Sequence, residues 1–197
     1  MKQLAITFDD GPDPRYTGLL LDLLKEHHIP ATFFVVASNA ESNPDLIRRM
    51  LAEHHQVAMH SYNHRHAWFS SYHYMKKDFQ YSCDIMRSLG CRPDTYRPPW
   101  GARNPFTGYF LKQYGLRLVL WDVMVQDWQA KATAQRTSDR ILARVFDGAV
   151  LCLHDAGEKT GGSCGAPLRT IEALRMALPE LKQEYVFKTV EELKPNE

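Results

Sequence analysis

The chain has 197 residues and nearly balanced charge, with 24 Lys and Arg against 23 Asp and Glu and a formal net charge of +1 at pH 7. This length suits one domain with a full core and leaves no room for a second catalytic module, so we expect a single domain over residues 1–197. The sequence contains no basic run, which argues against nucleic acid as a partner.

The predicted elements alternate between strands and helices. Strands are expected at 3–8, 31–36, 56–59, 95–96, 116–121, 149–153 and 185–187, helices at 17–28, 44–53, 71–89, 105–114, 137–145 and 167–181, and a closing turn at 190–193. This alternation predicts a parallel sheet with helices packed against it.

A (β/α) barrel is the favoured arrangement of these elements. Every polar motif described below follows the carboxyl end of a predicted strand, and (β/α) barrels carry their active sites on that rim. A doubly wound open sheet is the alternative, but it would spread the motifs along a line.

Two adjacent carboxylates, Asp9 and Asp10, follow the apolar run 4–6. An ionised carboxylate at the end of a buried strand needs a metal, an arginine or hydrogen bonds to offset its desolvation. Neighbouring side chains of a strand point in opposite directions, but Gly11-Pro12 is a break that lets both carboxylates serve one site. We therefore expect one carboxylate to bind a metal and the other to act on a water held there.

The second pair of candidate ligands is His60 and His64. Their i, i+4 spacing predicts that both lie on one side of a helical turn, as in many zinc sites. With Asp10 they would form a three-ligand site that leaves positions for water and substrate. The alternative is that one histidine lies at the surface and the other forms a cap.

Five separated motifs, taken in order, resemble those of the polysaccharide deacetylases with a NodB homology domain, carbohydrate esterase family 4. They are TFDDGP at 7–12, HSYNH at 60–64, RPPWG at 97–101, DW at 127–128 and LCLH at 151–154. The resemblance covers almost the whole chain. It implies a distorted seven-stranded (β/α) barrel, which agrees with the number of predicted strands.

The resemblance also implies roles for the acid and base residues. Asp9 is the expected general base, and Arg97, a fixed and always charged donor, is the residue that orients it. His154 is the expected general acid that protonates the leaving amine. Asp127 is the carboxylate that favours and orients the protonated form of His154.

Three further residues are the expected substrate contacts. Trp100 stands where tyrosine or phenylalanine is more typical of the family, and its backbone amide would donate to the oxyanion of the reaction. Trp128 and Leu153 match family residues that wall the pocket for the acetyl methyl group. For Leu153, a plain place in the core is nearly as good an interpretation.

The expected function is a metal-dependent hydrolase that removes N-acetyl groups from an N-acetylglucosamine-containing glycan, such as peptidoglycan or a chitin-like polymer. Two alternatives stay open: a deacylase or amidase acting on a different acylated substrate, and a glycan-binding pseudoenzyme. The expected cofactor is one divalent ion. Zinc is the first choice, and cobalt or nickel are alternatives because a site of two histidines and one carboxylate accepts them.

The sequence gives weaker guidance on location and assembly. No segment is long and apolar enough to cross a membrane. Met1-Lys2 leads directly into the first strand without a signal peptide, so we expect a cytoplasmic protein as the chain stands, or an exported one if a leader has been removed. The oligomeric state is not predicted.

Three other features have open interpretations. The cysteines lack a CxxC spacing and are expected to be free thiols, with a Cys83 to Cys91 bridge as the alternative. Trp68-Phe69 would suit stacking on a sugar ring, although packing is the expectation. The glycine-rich segment 156–167 is interpreted as a mobile substrate loop or as a plain surface loop.

Overall fold

The computed structural model describes residues 1–193 as a parallel sheet with helices between its strands. The strands are β1 (Lys2–Asp9), β2 (Thr32–Val35), β3 (Gln56–Met59), β4 (Thr95–Tyr96), β5 (Arg117–Leu118), β6 (Val123–Met124), β7 (Ala149–His154) and β8 (Tyr185–Phe187). The helices are α1 (Thr17–His27), α2 (Ala37–Ser42), α3 (Pro44–Ala52), α4 (Tyr72–Ser88), α5 (Pro105–Tyr114), α6 (Ala134–Arg144) and α7 (Ala166–Glu184).

The strands occupy seven positions in the order β5-β4-β3-β2-β1-β7-β6, and each pair of neighbours is parallel. The eighth strand, β8, pairs with residues 2–4 of β1. Because β7 pairs along 4–9 of β1, β8 lies on the same edge of β1 as β2 and shares its position. The predicted seven-stranded (β/α) barrel is therefore confirmed, with β1 between β2 and β7.

One face of the central strands forms the main core. Ile6 and Phe8 of β1, and Leu151 and Leu153 of β7, are fully buried in a cluster with apolar side chains of α1 and α7. Alternate residues of a strand point to opposite faces. The other face of the same two strands therefore carries the polar residues discussed below.

The predicted strand 116–121 is shorter in the structure, where only Arg117–Leu118 pair as β5, and the sequence did not predict β6, which begins beyond it. The chain forms β5, leaves the sheet, and returns as β6. Between the two strands, the carbonyl oxygens of Val119 and Leu120 accept hydrogen bonds from the Arg97 side chain at 3.3 and 2.7 Å. Because these carbonyl groups accept hydrogen bonds from a buried guanidinium, they do not pair with a neighbouring strand.

Three helices differ from the sequence expectation, and one of them, α7, ends at Glu184 instead of at the predicted residue 181. Helix α2 was not predicted, because its six residues are too few to show a helical period. Helix α6 begins three residues before the predicted position, at Ala134, because the Thr133 hydroxyl accepts the N–H of Arg136 at 3.3 Å and caps the helix.

Two further predictions concern the state of the cysteines and the presence of membrane-spanning helices. All four cysteines are free thiols, so the alternative Cys83 to Cys91 bridge does not form. Within residues 1–193, none of the helices combines the length and apolar character that crossing a membrane requires.

Candidate active site

Asp9 ends β1 and Asp10 directly follows it, and both residues line the same pocket. The strand stops at Asp9, and Asp10 has a left-handed φ of 78°, which breaks the alternation between the two side chains. The side-chain amide of Asn39 donates to the backbone carbonyl of Asp10 at 2.9 Å and holds this turn. Both carboxylates are buried.

His60 and His64 lie on a loop and not on the helical turn that their spacing predicted. Ser61 and His64 have left-handed φ values of 67° and 52°. The Ser61 hydroxyl accepts the N–H of His64 at 2.9 Å, so a bond from side chain to backbone closes the turn in place of a helical bond. The two imidazole rings still meet, with centroids 5.1 Å apart.

Asp10, His60 and His64 converge into one buried cluster, called here the candidate metal site. Oδ1 of Asp10 is 2.9 Å from Nε2 of His64 and 3.4 Å from Nε2 of His60. Two ligands placed about 2.1 Å from a tetrahedral ion are about 3.4 Å apart, so these separations fit a shared cation. Two imidazoles and one carboxylate are a common ligand set for a divalent metal.

The protonation of these groups also suits a cation. Nδ1 of His60 lies 2.6 Å from the backbone carbonyl of Arg97, which can only accept, so Nδ1 carries a proton and Nε2 faces Asp10, to which it can donate when protonated and beside which it can bind a cation when deprotonated. Burial alone would raise the pKa of the Asp10 carboxyl, but hydrogen bonds with His60 and His64 hold that pKa well below its usual range. Asp10 is therefore ionised, as a carboxylate must be to bind a metal.

Arg97 is fully buried and fixes one oxygen of Asp9. Its Nη1 donates to Oδ1 of Asp9 at 2.6 Å and to the Thr7 hydroxyl at 2.8 Å. The guanidinium carbon lies 3.9 Å from the centre of the Phe34 ring, so the group is held by an aromatic face as well as by hydrogen bonds. Arg97 thus lies where the sequence prediction requires it.

The second oxygen of Asp9 accepts a hydrogen bond from the Cys152 thiol. The Cys152 thiol lies 3.5 Å from Oδ2 of Asp9, and burial raises the pKa of this thiol well above its ordinary value. Asp9, Cys152 and His154 also have ligand atoms within 4.8 Å of one another. We do not assign a metal to them, because Arg97 already places a positive charge on Asp9.

His154 ends β7 and forms a tight pair with Asp127. Its Nδ1 lies 2.9 Å from Oδ1 of Asp127, while Oδ2 of Asp127 accepts the backbone N–H of His154 at 2.9 Å and the Thr170 hydroxyl at 2.8 Å. Burial disfavours the imidazolium, but the charge and hydrogen bond of Asp127, helped by Asp10 and Asp9, raise the pKa of His154 to about 9. His154 is therefore arranged to carry a proton at Nε2.

These groups open into one pocket with a volume of about 220 Å³. Its polar floor and its aromatic or glycine-rich walls are formed by Asp9, Asp10, His60, His64, Trp100, Trp121, Met124, Trp128, His154, Thr160, Gly161 and Gly162. The Trp128 ring lies 4.8 Å from that of His154, and the Trp100 ring lies 4.3 Å from that of His64. The two predicted tryptophans therefore stand beside the candidate acid and the candidate metal site.

Leu153 is not brought to this pocket. Its side chain is fully buried in the main core, as the alternative interpretation holds. Strand alternation explains this, because His154 faces the pocket and its neighbour must face the other way. Cys152, two residues before His154, takes the place on the pocket side of the strand.

The glycine-rich segment 156–167 forms part of the site and is tied down. Glu158 pairs with Arg15 at 2.8 Å and accepts the Tyr16 hydroxyl at 2.7 Å. The Thr160 hydroxyl donates to Oδ2 of Asp10 at 3.2 Å. The interpretation of this segment as a substrate loop gains support from its place in the pocket, while its anchors argue against free movement.

Sequence reasoning missed Thr160 and Trp121, which line the pocket, and Cys152, which is buried beside Asp9. Thr160 was signalled only by its place in the glycine-rich segment after His154. Trp121 gave no signal, because it ends a run that was predicted to be a strand and nothing in the sequence showed that its side chain faces the pocket. Cys152 was signalled only by strand alternation, since it lies two residues before His154 in a predicted strand.

Comparison with known proteins gives one family match and several long alignments. The family model described as polysaccharide deacetylase matches residues 1–119. Over 196 residues the chain is 35% identical to the peptidoglycan-N-acetylglucosamine deacetylase PgdA of Listeria monocytogenes, covering 98% of this chain but only 39% of that protein. Over 195 residues it is 34% identical to a peptidoglycan-N-acetylglucosamine deacetylase of Bacillus cereus, covering 98% of this chain and 88% of that protein.

The fold is also found among solved structures. The chain matches a family 4 acetyl xylan esterase from Clostridium thermocellum, solved in complex with a cobalt ion, with a TM-score of 0.84 and 30% identity. The match covers 98% of this chain and 90% of that one. The barrel is thus shared along almost the whole chain.

Proposed function

Because this chain belongs to the polysaccharide deacetylase family, the NodB homology domain of carbohydrate esterase family 4, we propose that it is a metal-dependent hydrolase that removes N-acetyl groups from an N-acetylglucosamine-containing glycan. Peptidoglycan is the first substrate to test, since the similar proteins of Listeria monocytogenes and Bacillus cereus bear that substrate in their names. A chitin-like polymer carries the same acetamide and is the second.

One observation carries the proposal. A carboxylate held by a buried arginine and an imidazole held by a buried carboxylate line the same pocket as the candidate metal site. Hydrolysis of an amide needs a group that takes a proton from water and a group that gives one to the leaving nitrogen. Asp9 and His154 supply these two functions side by side.

In the proposed reaction, Asp9 accepts a proton from the attacking water while the water oxygen forms a bond to the acetyl carbonyl carbon. His154 then donates the proton on Nε2 to the amide nitrogen as the carbon–nitrogen bond breaks, giving acetate and a free amine. Arg97 orients Asp9 through its hydrogen bond, and Asp127 orients His154 and favours its charged form.

Asp10, His60 and His64 would hold the cofactor, which we propose to be zinc, with cobalt or nickel as substitutes. When bound, such an ion supplies Lewis acidity that polarises the acetyl carbonyl and makes water a better nucleophile. The cobalt ion in the similar esterase supports the choice of a divalent transition metal.

Two tryptophans complete the proposal. Trp100 has a left-handed φ of 55° within a short 3-10 turn, Pro99–Gly101, and we assign its backbone N–H to the developing oxyanion. Trp128, beside His154, would contact the acetyl methyl group.

The test is acetate release from N-acetylglucosamine oligomers and from peptidoglycan by protein stripped of metal and reloaded with zinc or cobalt. Release that requires the metal, and that Asp9→Asn reduces by about a hundredfold or more while keeping its metal, is the expected result. Metal-loaded protein that leaves both glycans intact but hydrolyses another acylated compound would move the assignment to a different substrate. Glycan binding without turnover would make it a pseudoenzyme.

A further inference from the structure

Three large aromatic rings lie exposed next to the pocket. Trp68 is 72% exposed, Phe69 is 74% exposed and Trp100 is 54% exposed. Packing was the sequence expectation for Trp68-Phe69, and the structure overturns it. Scattered apolar residues are normal at a surface, but adjacent large rings commonly mark a binding surface. We call the surface formed by His66, Trp68, Phe69 and Trp100 the aromatic platform.

The His66 ring joins the platform together. Its centroid lies 5.6 Å from that of Trp68, 5.5 Å from that of Phe69 and 5.4 Å from that of Trp100. These separations are those of rings in contact. The four rings therefore form one continuous surface.

The platform is fixed before any ligand arrives. The indole N–H of Trp68 donates to the backbone carbonyl of Arg103 at 3.1 Å. The Asn104 side chain donates to the carbonyls of Ala67 and Ser70 at 2.9 and 3.1 Å, on either side of the two exposed rings. Exposed rings held in this way lose little conformational entropy when a ligand stacks on them.

The platform is continuous with the candidate active site. The Trp100 ring lines the pocket and lies 4.3 Å from the ring of His64, a residue of the candidate metal site. The same ring contacts His66, and through it Trp68 and Phe69. A ligand that occupies the pocket and extends out of it past Trp100 would therefore contact the rest of the aromatic platform.

The size of the pocket determines which part of a ligand lies there. Its volume of about 220 Å³ is smaller than the roughly 300 Å³ at which pockets for whole small molecules begin. A polymer that places one acetyl group inside must leave its other units outside. Sugar rings have faces of C–H groups, which stack on aromatic rings, and edges of hydroxyl groups that stay in water.

We propose that the aromatic platform binds the sugar units that adjoin the unit being deacetylated, so that the protein acts on glycan chains in preference to short fragments. The inference rests on the proposed function and extends it from the reacting unit to its neighbours along the chain.

The first experiment measures kcat/KM for N-acetylglucosamine oligomers from the dimer to the hexamer. Wild-type protein is expected to favour the hexamer, and the hexamer-to-dimer ratio is expected to fall about tenfold in Trp68→Ala and in Phe69→Ala. Phe146→Ala is the matched control, since Phe146 is 49% exposed but precedes β7, at the end of the sheet away from the pocket. A ratio that stays at the wild-type value in both platform variants would overturn the proposal.

The second experiment does not depend on turnover. Calorimetric titration of Asp9→Asn protein with the hexamer is expected to give binding that weakens about tenfold when Trp68→Ala is added. Equal binding with and without Trp68→Ala contradicts the platform, whatever the activity. Platform-dependent binding by a wild-type protein that releases no acetate would keep the platform and reject the proposed function. If instead Trp68→Ala changes the oligomeric state in light scattering and leaves hexamer binding intact, the surface joins copies of this chain and the glycan proposal is wrong.

Discussion

Asp9 and His154 are direct partners across the central pair of strands, because the parallel register of β1 and β7 aligns their Cα atoms. Both side chains lie on the pocket face, and the partners that hold them come from other parts of the chain. Arg97 follows β4 and Asp127 follows β6. The sheet therefore fixes the spacing of the candidate base and acid, while the segments that follow β4 and β6 supply their charged partners.

Removing one ligand tests the candidate metal site. His64→Ala is expected to lose metal and acetate release together while keeping its circular dichroism spectrum, because two remaining ligands hold a divalent ion far less tightly than three. Elemental analysis after dialysis is the measurement. His73→Ala, which removes an exposed histidine of α4, is the control. Normal metal content in His64→Ala would place the ion elsewhere.

The alkaline limit of activity tests the pair of His154 and Asp127. The raised pKa of His154, to about 9, means that the acid form is kept below that pH and lost above it. Asp127→Asn removes the negative charge that favours the imidazolium, so the alkaline limb of the kcat profile should move to lower pH. A bound cation lowers the pH of the alkaline limb in the wild type and in Asp127→Asn alike. The quantity to measure is therefore the difference between the two proteins in the pH of that limb. Superimposable profiles would show that Asp127 does not control the acid.

Gly157 lets the glycine-rich segment lie close to Asp10. Its φ is +112°, and a Cβ built there would be 2.6 Å from Oδ2 of Asp10. Gly157→Ala is therefore expected to displace this carboxylate and to weaken metal binding by about tenfold or more. Gly161→Ala is a matched control, because its φ is +114° but nothing lies within 4 Å of its Cβ. Chelator competition measures both, and equal losses would attribute the effect to backbone strain alone.

The four thiols should react at very different rates. Cys164 is exposed, whereas Cys83, Cys91 and Cys152 are buried. Burial raises the pKa of Cys83 and of Cys91 to about 11, which keeps them as unreactive thiols at neutral pH. A thiol reagent is expected to modify one group per chain quickly and the others only after unfolding, and Cys164→Ser should abolish the fast phase. A fast phase that persists in Cys164→Ser would show that a buried thiol is accessible.

The sequence was sufficient to predict the barrel and the strand-end positions of Asp9, Asp10, His60 and His154. Each of these residues follows an apolar run, and parallel strands bring their carboxyl ends to one rim. The place of Leu153 was also within reach, since strand alternation with His154 already puts it on the opposite face.

Other features depend on contacts that no local pattern encodes. The loop that carries His60 and His64 is shaped by the Ser61 hydroxyl, whose bond to the backbone competes with a helical turn. The end of β5 depends on Arg97, which accompanies another strand and takes up the nearby carbonyl groups. Interactions between segments distant in sequence leave no periodic trace, so local propensity could not predict them.

The order of the strands along the chain affects how this domain is completed during synthesis. The three residues of the candidate metal site are all made by residue 64, whereas β7, which pairs with one edge of β1, is made only at Ala149–His154. Until then the apolar central strand has an unpaired edge, which can pair with other chains. The ligands of the candidate metal site are therefore made before the candidate proton donor, and the edge of β1 stays open to other chains until β7 has been made.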